Sequence, residues 1–364
     1  MFMSVDRSDR QPSHASLIRR RVMAQRKVRG SIVKPALALV ALLCTASAGA
    51  GVNRWTVIGP PASMHAMAID PHNPRLLYAA GSETVARSDD RGTTWTSTPV
   101  SGLFQPSAIR VSPSLPSTIY VLGLSDLFRS TTGGTSWTHS RVPTAAQFPN
   151  DLQVDTTNAA TLTLAASNFC FLGCSGGGVF RSDNGGDSWR LIGLKDTNVQ
   201  SVALDPTNPQ IIYATSGSTL FRTTNGGGSW KAISPPTSGT INVVVVDPLL
   251  SRTIYAATAS GVFRSDDSGL SWELMRASAY GSLIAAPAPG SRQIFAAASG
   301  TALSLNEGRT WLELSTTGSG LAFDGLLQLA FRDDAYYMVS DLQGVPGQVL
   351  SYELQQPRRR AAPK

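Results

Sequence analysis

Acidic and amide side chains recur along this chain in one fixed setting, and they are the first place to look for chemistry. The pattern Ser/Thr-x-Asp/Asn-x-Gly-x-Ser/Thr-Trp occurs six times, at residues 88–95, 130–137, 182–189, 223–230, 265–272 and 304–311. Its third position is Asp90, Asn184, Asn225, Asp267 and Asn306, with Thr132 the one departure. Carboxylates beside hydroxyls suggest general acid/base work, and hydrolysis of a glycoside needs two opposed carboxyls. Six near-identical copies do not build one active site, however. Turn chemistry accounts for each residue instead: a short Asp or Asn oxygen accepts backbone N–H groups within its own turn. The glycine two residues on permits a left-handed backbone. The tryptophans Trp95, Trp137, Trp189, Trp230, Trp272 and Trp311 open an outer strand and bury a large ring between neighbouring sheets.

Other reactive residue types are sparse. His65, His72 and His139 are isolated in sequence, and no phosphate loop or nucleophile motif is present. Three residues separate Cys170 from Cys174. In an oxidising compartment such a pair is expected to bridge, whereas two thiolates without two further ligands make a poor zinc site. The sequence therefore implies no metal and no cofactor.

The elements that carry the pattern follow from its period. Successive tryptophans are 42, 52, 41, 42 and 39 residues apart, near the length of a four-stranded propeller blade. The fourth copy shows all four strands: residues 199–204, the turn Asp205-Pro-Thr-Asn-Pro209, then 210–215, 219–223 and 230–233. Similar turns stand at Asp70-Pro-His-Asn-Pro74 and Asp247-Pro248. Inner strands begin near Ala66, Ser107, Asp151, Ser201, Ile241, Ser282 and Leu327, which makes seven. The seventh blade offers only three strands, at 327–331, 336–340 and 348–354. Trp55-Thr-Val-Ile-Gly59 matches the outer strand Trp189-Arg-Leu-Ile-Gly193 and supplies the fourth. The expected fold is an all-β, single seven-bladed β-propeller of four-stranded blades, closed by an N-terminal strand that completes the last blade. Closure removes sheet edges that would otherwise pair with other chains.

The repeated motif resembles the Asp-box, or BNR, repeat of sialidases, sortilin-type receptors, bacterial xyloglucanases and photosystem II assembly propellers. The resemblance covers roughly residues 54–354. Asp-Pro-x-Asn-Pro and Phe-Arg-Ser look most like the xyloglucanase and photosystem-assembly branches. It implies either a hydrolase or a binding module. A sialidase-like enzyme would need converging arginines, a tyrosine paired with a glutamate, and an Arg-Ile-Pro string before the first box. Here Arg141-Val-Pro143 follows the second box, only Arg141 and Arg276 sit at suitable strand ends, and Tyr280 has no assignable partner. A xyloglucanase-like enzyme sets acids from two propellers across a cleft. The matching segment here, Tyr78-Ala-Ala-Gly-Ser-Glu-Thr-Val85, lacks the Asp-Ile-Gly-Gly string, and Glu83 is a poor substitute. The residues favour a non-catalytic scaffold for a protein or glycan partner over a sialidase-like or xyloglucanase-like glycoside hydrolase.

Charge and termini bound the setting. The formal charge is +7, yet residues 49–357 hold more Asp and Glu than Lys and Arg; the excess lies in the two ends. A slightly acidic domain argues against nucleic acid as a partner. Residues 1–48 read as an export signal: a basic region, the apolar run Ala36-Leu-Ala-Leu-Val-Ala-Leu-Leu43, and Ala46-Ser47-Ala48 as cleavage site. A start at Met23 would give a signal of ordinary length. The apolar run is too short to span a bilayer, so the mature protein is expected to have no transmembrane segment and to be periplasmic or extracellular. Residues 49–355 form the propeller, expected to be a monomer, and 356–364 a disordered basic tail.

One blade departs from the period. The third holds extra residues in Ser167-Asn-Phe-Cys-Phe-Leu-Gly-Cys-Ser-Gly-Gly-Gly178. Phe169, Phe171 and Leu172, around Cys170 and Cys174, either fold back over the blade or form a rigid apolar knob for a partner. Inter-blade links on the same face add Phe148, Asn150, Tyr280, Phe323 and Asp324. Binding residues concentrate on loops held by a rigid scaffold, so Phe169, Phe171, Leu172, Phe148, Tyr280 and Phe323 are the candidate partner-binding residues.

Overall fold

Alternation of small β-branched and aromatic residues with Asp-Pro and glycine turns yields strands of about five residues joined by tight reversals. A computed structural model describes residues 55–353 except 61, 169–175, 238, 278–282, 286–292, 298–300, 315–322, 333–334 and 343–344, and all of these belong to one compact unit, Ser47–Lys364. Among the described residues every regular element is a β-strand, and the strands form seven four-stranded antiparallel sheets.

Six sheets are built from consecutive strands in simple up-and-down order. The fourth serves as the type: Ser201–Leu204, Ile212–Ser216, Thr219–Thr223 and Lys231–Ala232. These are the four strands expected from the sequence, displaced by a residue or two. Trp230 precedes the outer strand instead of opening it, because the box turn ends at the indole.

The seventh sheet is composite. Phe323–Arg332, Ala335–Leu342 and Val345–Glu353 pair in order, and Trp55–Val57 adds the outer strand. Trp55 stands opposite Tyr352, Thr56 opposite Ser351 and Val57 opposite Leu350. These strands run longer than the sequence pattern suggested, with register shifts between Phe323 and Gly325 and between Leu326 and Gln328.

Packing links each sheet to the next. Buried apolar layers lie between consecutive sheets, such as Tyr78, Val85, Ile109, Ile119 and Val121 between the first and second. Another joins Met67, Leu77 and Ala86 of the first sheet to Ile58 and Val349 of the seventh. Burial of each such aliphatic side chain contributes about 1.5–3 kcal/mol. The first strands of successive sheets also approach one another, and the seventh sheet's Phe323–Arg332 lies beside the first sheet's Ala66–Ile69. Polar ties cross these inner strands. Arg110 Nη2 lies 2.7 Å from Asp151 Oδ1, while Asp151 Oδ2 accepts Ser201 Oγ and the Val202 N–H, each at 3.1 Å. One carboxylate thus joins the second, third and fourth sheets.

Candidate partner-binding face

The two ends of the sheets are made of different connections. One end carries the turns between first and second strands and the six boxes. In the first box the Gly92 N–H donates to Ser88 Oγ at 2.7 Å, and the Thr94 N–H to Asp90 Oδ1 at 2.8 Å. The same pair recurs around Asn184, Asn225, Asp267 and Asn306. Thr132 keeps the geometry with a hydroxyl: the Ser136 N–H donates to its Oγ1 at 3.0 Å. Hydrogen bonds from the Ser271 hydroxyl and backbone amide hold the Asp267 carboxyl down at about 2, so it is ionised and committed to its turn.

The half-buried indoles tie sheets together. Trp95 Nε1 donates to Ile58 O at 2.6 Å, Trp230 to Ile192 O at 3.2 Å, Trp272 to Ile233 O at 2.8 Å and Trp311 to Met275 O at 3.0 Å. Each acceptor lies within, or just beyond, the preceding sheet's outer strand. Trp137 instead bonds within its own turn, and Trp189 Nε1 is buried without a partner. The first-to-second-strand turns use the same chemistry, with Asp70, Asp155, Asp205 and Asp247 each accepting two backbone N–H groups.

The opposite end carries the turns between second and third strands and the links between sheets, and here the sequence is irregular. The third sheet shows the most elaborate arrangement. Asn168 and Gly176, on either side of residues 169–175, are both fastened to the link leading into the fourth sheet. The Asn168 N–H donates to Asn198 Oδ1 at 2.8 Å, Asn168 Nδ2 to Asp196 O at 3.1 Å, and the Gly176 N–H to Asp196 Oδ1 at 2.7 Å. The Gly177 N–H reaches Ala145 O at 2.7 Å, in the link entering the third sheet. Gly177 has φ +76°, and a Cβ there would lie 2.6 Å from Thr197 O, so this approach requires glycine. Leu194 and Asp196 also take left-handed φ values of 50° and 58°, a strained conformation for such residues.

These segments line an open cavity of about 370 Å³. Its walls are the link at Thr144, Ala145 and Gln147, the glycines Gly176 and Gly177, Phe180 and Leu191 from the sheet, and Lys195 with Asp196. Apolar walls with a few charged or polar groups at the mouth suit a peptide or small-molecule ligand. Sequence reasoning pointed to this end but not to the cavity, because its walls come from two links and a turn far apart in the chain.

The predicted candidate residues fall as follows. Phe148 begins the third sheet's first strand, opposite Ser167, and is 40% exposed. Phe323 begins the seventh sheet's first strand, opposite Leu342. Phe169, Cys170, Phe171, Leu172, Cys174 and Tyr280 lie outside the described residues. Asn150 bridges Ser167 Oγ at 2.6 Å and Val199 O at 2.7 Å from a bulge in its strand. Among the hydrolase candidates, Arg276 stacks over Trp311 and pairs with Glu313 at 2.8 Å, and Arg141 ends the second sheet's outer strand. Glu83 occupies a left-handed turn position at φ 58°. Among the described residues no cluster of three His, Cys, Asp or Glu is placed to hold a metal ion, and no helix is long and apolar enough to cross a membrane.

No family model and no curated protein matches the chain. Solved structures do. YCF48 bound to a D1 peptide superposes with a TM-score of 0.61 at 18% identity, covering 85% of this chain and 97% of that one. A GH74 xyloglucanase from Xanthomonas campestris gives 0.57 at 18%, covering 78% of this chain, which spans about half (51%) of the enzyme. PorZ, a surface component of the type-IX secretion system of Porphyromonas gingivalis, gives 0.56 at 15%, with 85% of this chain and 40% of PorZ covered. At these identities the likeness is one of fold alone, and that fold is the β-propeller.

Proposed function

We propose that this protein is an exported, non-catalytic propeller that binds a polypeptide partner at the end of its sheets carrying the link residues and the second-to-third-strand turns. The cavity of about 370 Å³ at the end of the third sheet, between the links that enter and leave it, is the observation that carries this reading. It is pre-formed, hydrogen bonds from Asn168, Gly176 and Gly177 to the two links hold its walls, and it lies at the one blade whose length breaks the repeat. YCF48, whose structure holds a D1 peptide, lends support by analogy of fold. In the same reading the seven sheets form one closed ring, supported by the pairing of Trp55–Val57 with Val345–Glu353 and by the approach of the seventh sheet's first strand to that of the first. Residues 1–48 act as a cleaved signal, Cys170 and Cys174 bridge, and Phe169, Phe171, Leu172, Phe148, Tyr280 and Phe323 contribute to partner binding. Export to the periplasm or beyond fits the surface location of PorZ.

The test is site-specific photo-crosslinking in the native host. A crosslinking residue at Gln147 should capture one discrete partner, whereas the same residue at Lys231, on the fourth sheet's outer strand, should not. Replacing Ala145 with tryptophan fills the cavity and should abolish capture while the protein stays folded. Equal capture from both positions, or capture unaffected by the filled cavity, would refute the assignment.

A further inference from the structure

The repeat supplies its own control for a second site, at the box end of the fourth and fifth sheets. The third strands of the first five sheets each carry an arginine ahead of the box: Arg87, Arg129, Arg181, Arg222 and Arg264. Four of them have a carboxylate. Arg87 meets Asp89 at 2.7 Å, Arg181 meets Asp183 at 2.8 Å and Arg264 meets Asp266 at 2.9 Å, in each case two residues further on. Arg129 is followed by Thr131 and takes Asp187 from the next sheet's box, at 3.9 Å.

Arg222 has neither source. The residue two further on is Thr224, and the position matching Asp187 in the fifth sheet's box is Leu270. Its Nε is buried with no hydrogen-bond partner. Beneath it lies Tyr213, with the guanidinium carbon 5.8 Å from the ring centre; this tyrosine is fully buried, and its hydroxyl faces the side chains of Ser268 and Arg222 instead of a backbone oxygen. In the first sheet the equivalent hydroxyl, that of Tyr78, reaches Gly133 O at 3.4 Å, and Arg87 Nη1 reaches the same oxygen at 2.8 Å. A buried guanidinium N–H left without an acceptor, at a position where four sister sheets supply a carboxylate, points to a missing partner.

The surroundings differ in the same copy. The fifth sheet's first turn carries Leu249 and Leu250 where the first, third and fourth sheets have His72-Asn73, Thr157-Asn158 and Thr207-Asn208 and the second has Ser114-Leu115, so two leucines together occur in this turn alone among the five. Leu249, Leu250 and Leu270 are 59%, 54% and 69% exposed. The Ser268 N–H donates to Arg252 O at 2.9 Å, which holds the turn and the box side by side.

We propose that Arg222 receives a carboxylate from another polypeptide: an Asp or Glu side chain within an apolar segment, whose neighbouring residues pack on Leu249, Leu250 and Leu270. The acid takes the place that Asp89, Asp183 and Asp266 hold in the sister sheets. Exposed leucines replace the polar positions because the partner covers them. This site lies at the opposite end of the sheets from the cavity and stands independently of it.

The experiment uses the full-length protein with its arginine Nε–H groups observed by NMR, and acetyl-Leu-Glu-Leu-amide as the probe. The probe should shift the Arg222 resonance saturably, and its Gln twin should bind more weakly by about tenfold or more, the worth of one charge-assisted hydrogen bond. Thr224→Asp rebuilds the internal pair of the sister sheets and should weaken the probe by a similar factor while raising the melting temperature. Replacing Leu249, Leu250 and Leu270 with serine should weaken the probe and leave the Arg222 resonance of the free protein in place. Equal binding of the Glu and Gln probes, unchanged binding by Thr224→Asp, or inorganic phosphate displacing the probe at matching concentration would overturn the proposal.

Discussion

The Trp95 indole nitrogen lies 2.6 Å from the carbonyl oxygen of Ile58, so the first box is fastened to the strand segment that opens the described chain. Ile58 also fills the space over Gly92, whose absent Cβ would collide with the Ile58 side chain. The N-terminal segment is held from two sides: by the seventh sheet through backbone pairing, and by the first sheet through this indole and glycine.

Gly92→Ala is therefore expected to cost about 1–3 kcal/mol, from its left-handed φ of +87° and the clash with Ile58. Trp95→Phe should lose about 1 kcal/mol with the hydrogen bond alone. Urea denaturation of both variants checks the order; a neutral Gly92→Ala would mean that Ile58 does not sit where described.

Asp151 should behave as a clasp between three sheets. Asp151→Ala strands Arg110 and Ser201 and should cost about 2–3 kcal/mol, less than for a fully buried pair because Arg110 keeps some contact with solvent. In a double-mutant cycle with Arg110→Met the two losses should be clearly non-additive. Additive losses would show that the two residues act separately.

The second box departs from its sisters only in lacking an acid or amide at Thr132. Thr132→Asp should gain about 0.5–1 kcal/mol, as commonly found when a turn is restored to its consensus. Calorimetry showing a loss would mean that the hydroxyl at 3.0 Å from the Ser136 amide is already the better acceptor there.

Asp267 sets part of the acid limit of stability. Its carboxyl sits at about 2, below the ordinary value near 4, so the folded state favours the ionised form. That stabilisation is complete above the unfolded value and is lost as pH falls from about 4 toward 2. Asp267→Asn, the residue already used in three sister boxes, should leave the melting temperature near neutrality almost unchanged and flatten its fall over that interval. Parallel profiles for the two proteins would contradict this.

Much of the fold was legible because the box ties residue type to backbone shape. A glycine needing a left-handed φ, an oxygen capping its own turn and a tryptophan at fixed distance cannot be moved without breaking the turn. The match of Trp55-Thr-Val-Ile-Gly59 to Trp189-Arg-Leu-Ile-Gly193 marked the first segment as an outer strand, and in the structure Ile58 and Ile192 both offer carbonyls to an indole, a likeness the match did not itself announce. The Asp155 turn was overlooked because it lacks the prolines of its sisters. The cavity and the Arg110–Asp151 pair left no trace in the one-dimensional pattern, since each joins segments tens of residues apart whose approach depends on sheet packing. Phe148 and Asn150 were expected in an inter-blade link but belong to the strand Phe148–Val154, because its pairing opposite Ser167 comes from a register that no local signal specifies.

The pairing of Trp55 with Tyr352 also has a consequence for biosynthesis. Any fragment that stops before Val345 leaves Trp55–Val57 without its neighbour strand. Sheets built from consecutive strands can form as each hairpin is made, whereas this sheet waits for two segments that are far apart in the chain, so its outer pairing belongs among the late and slow steps of folding.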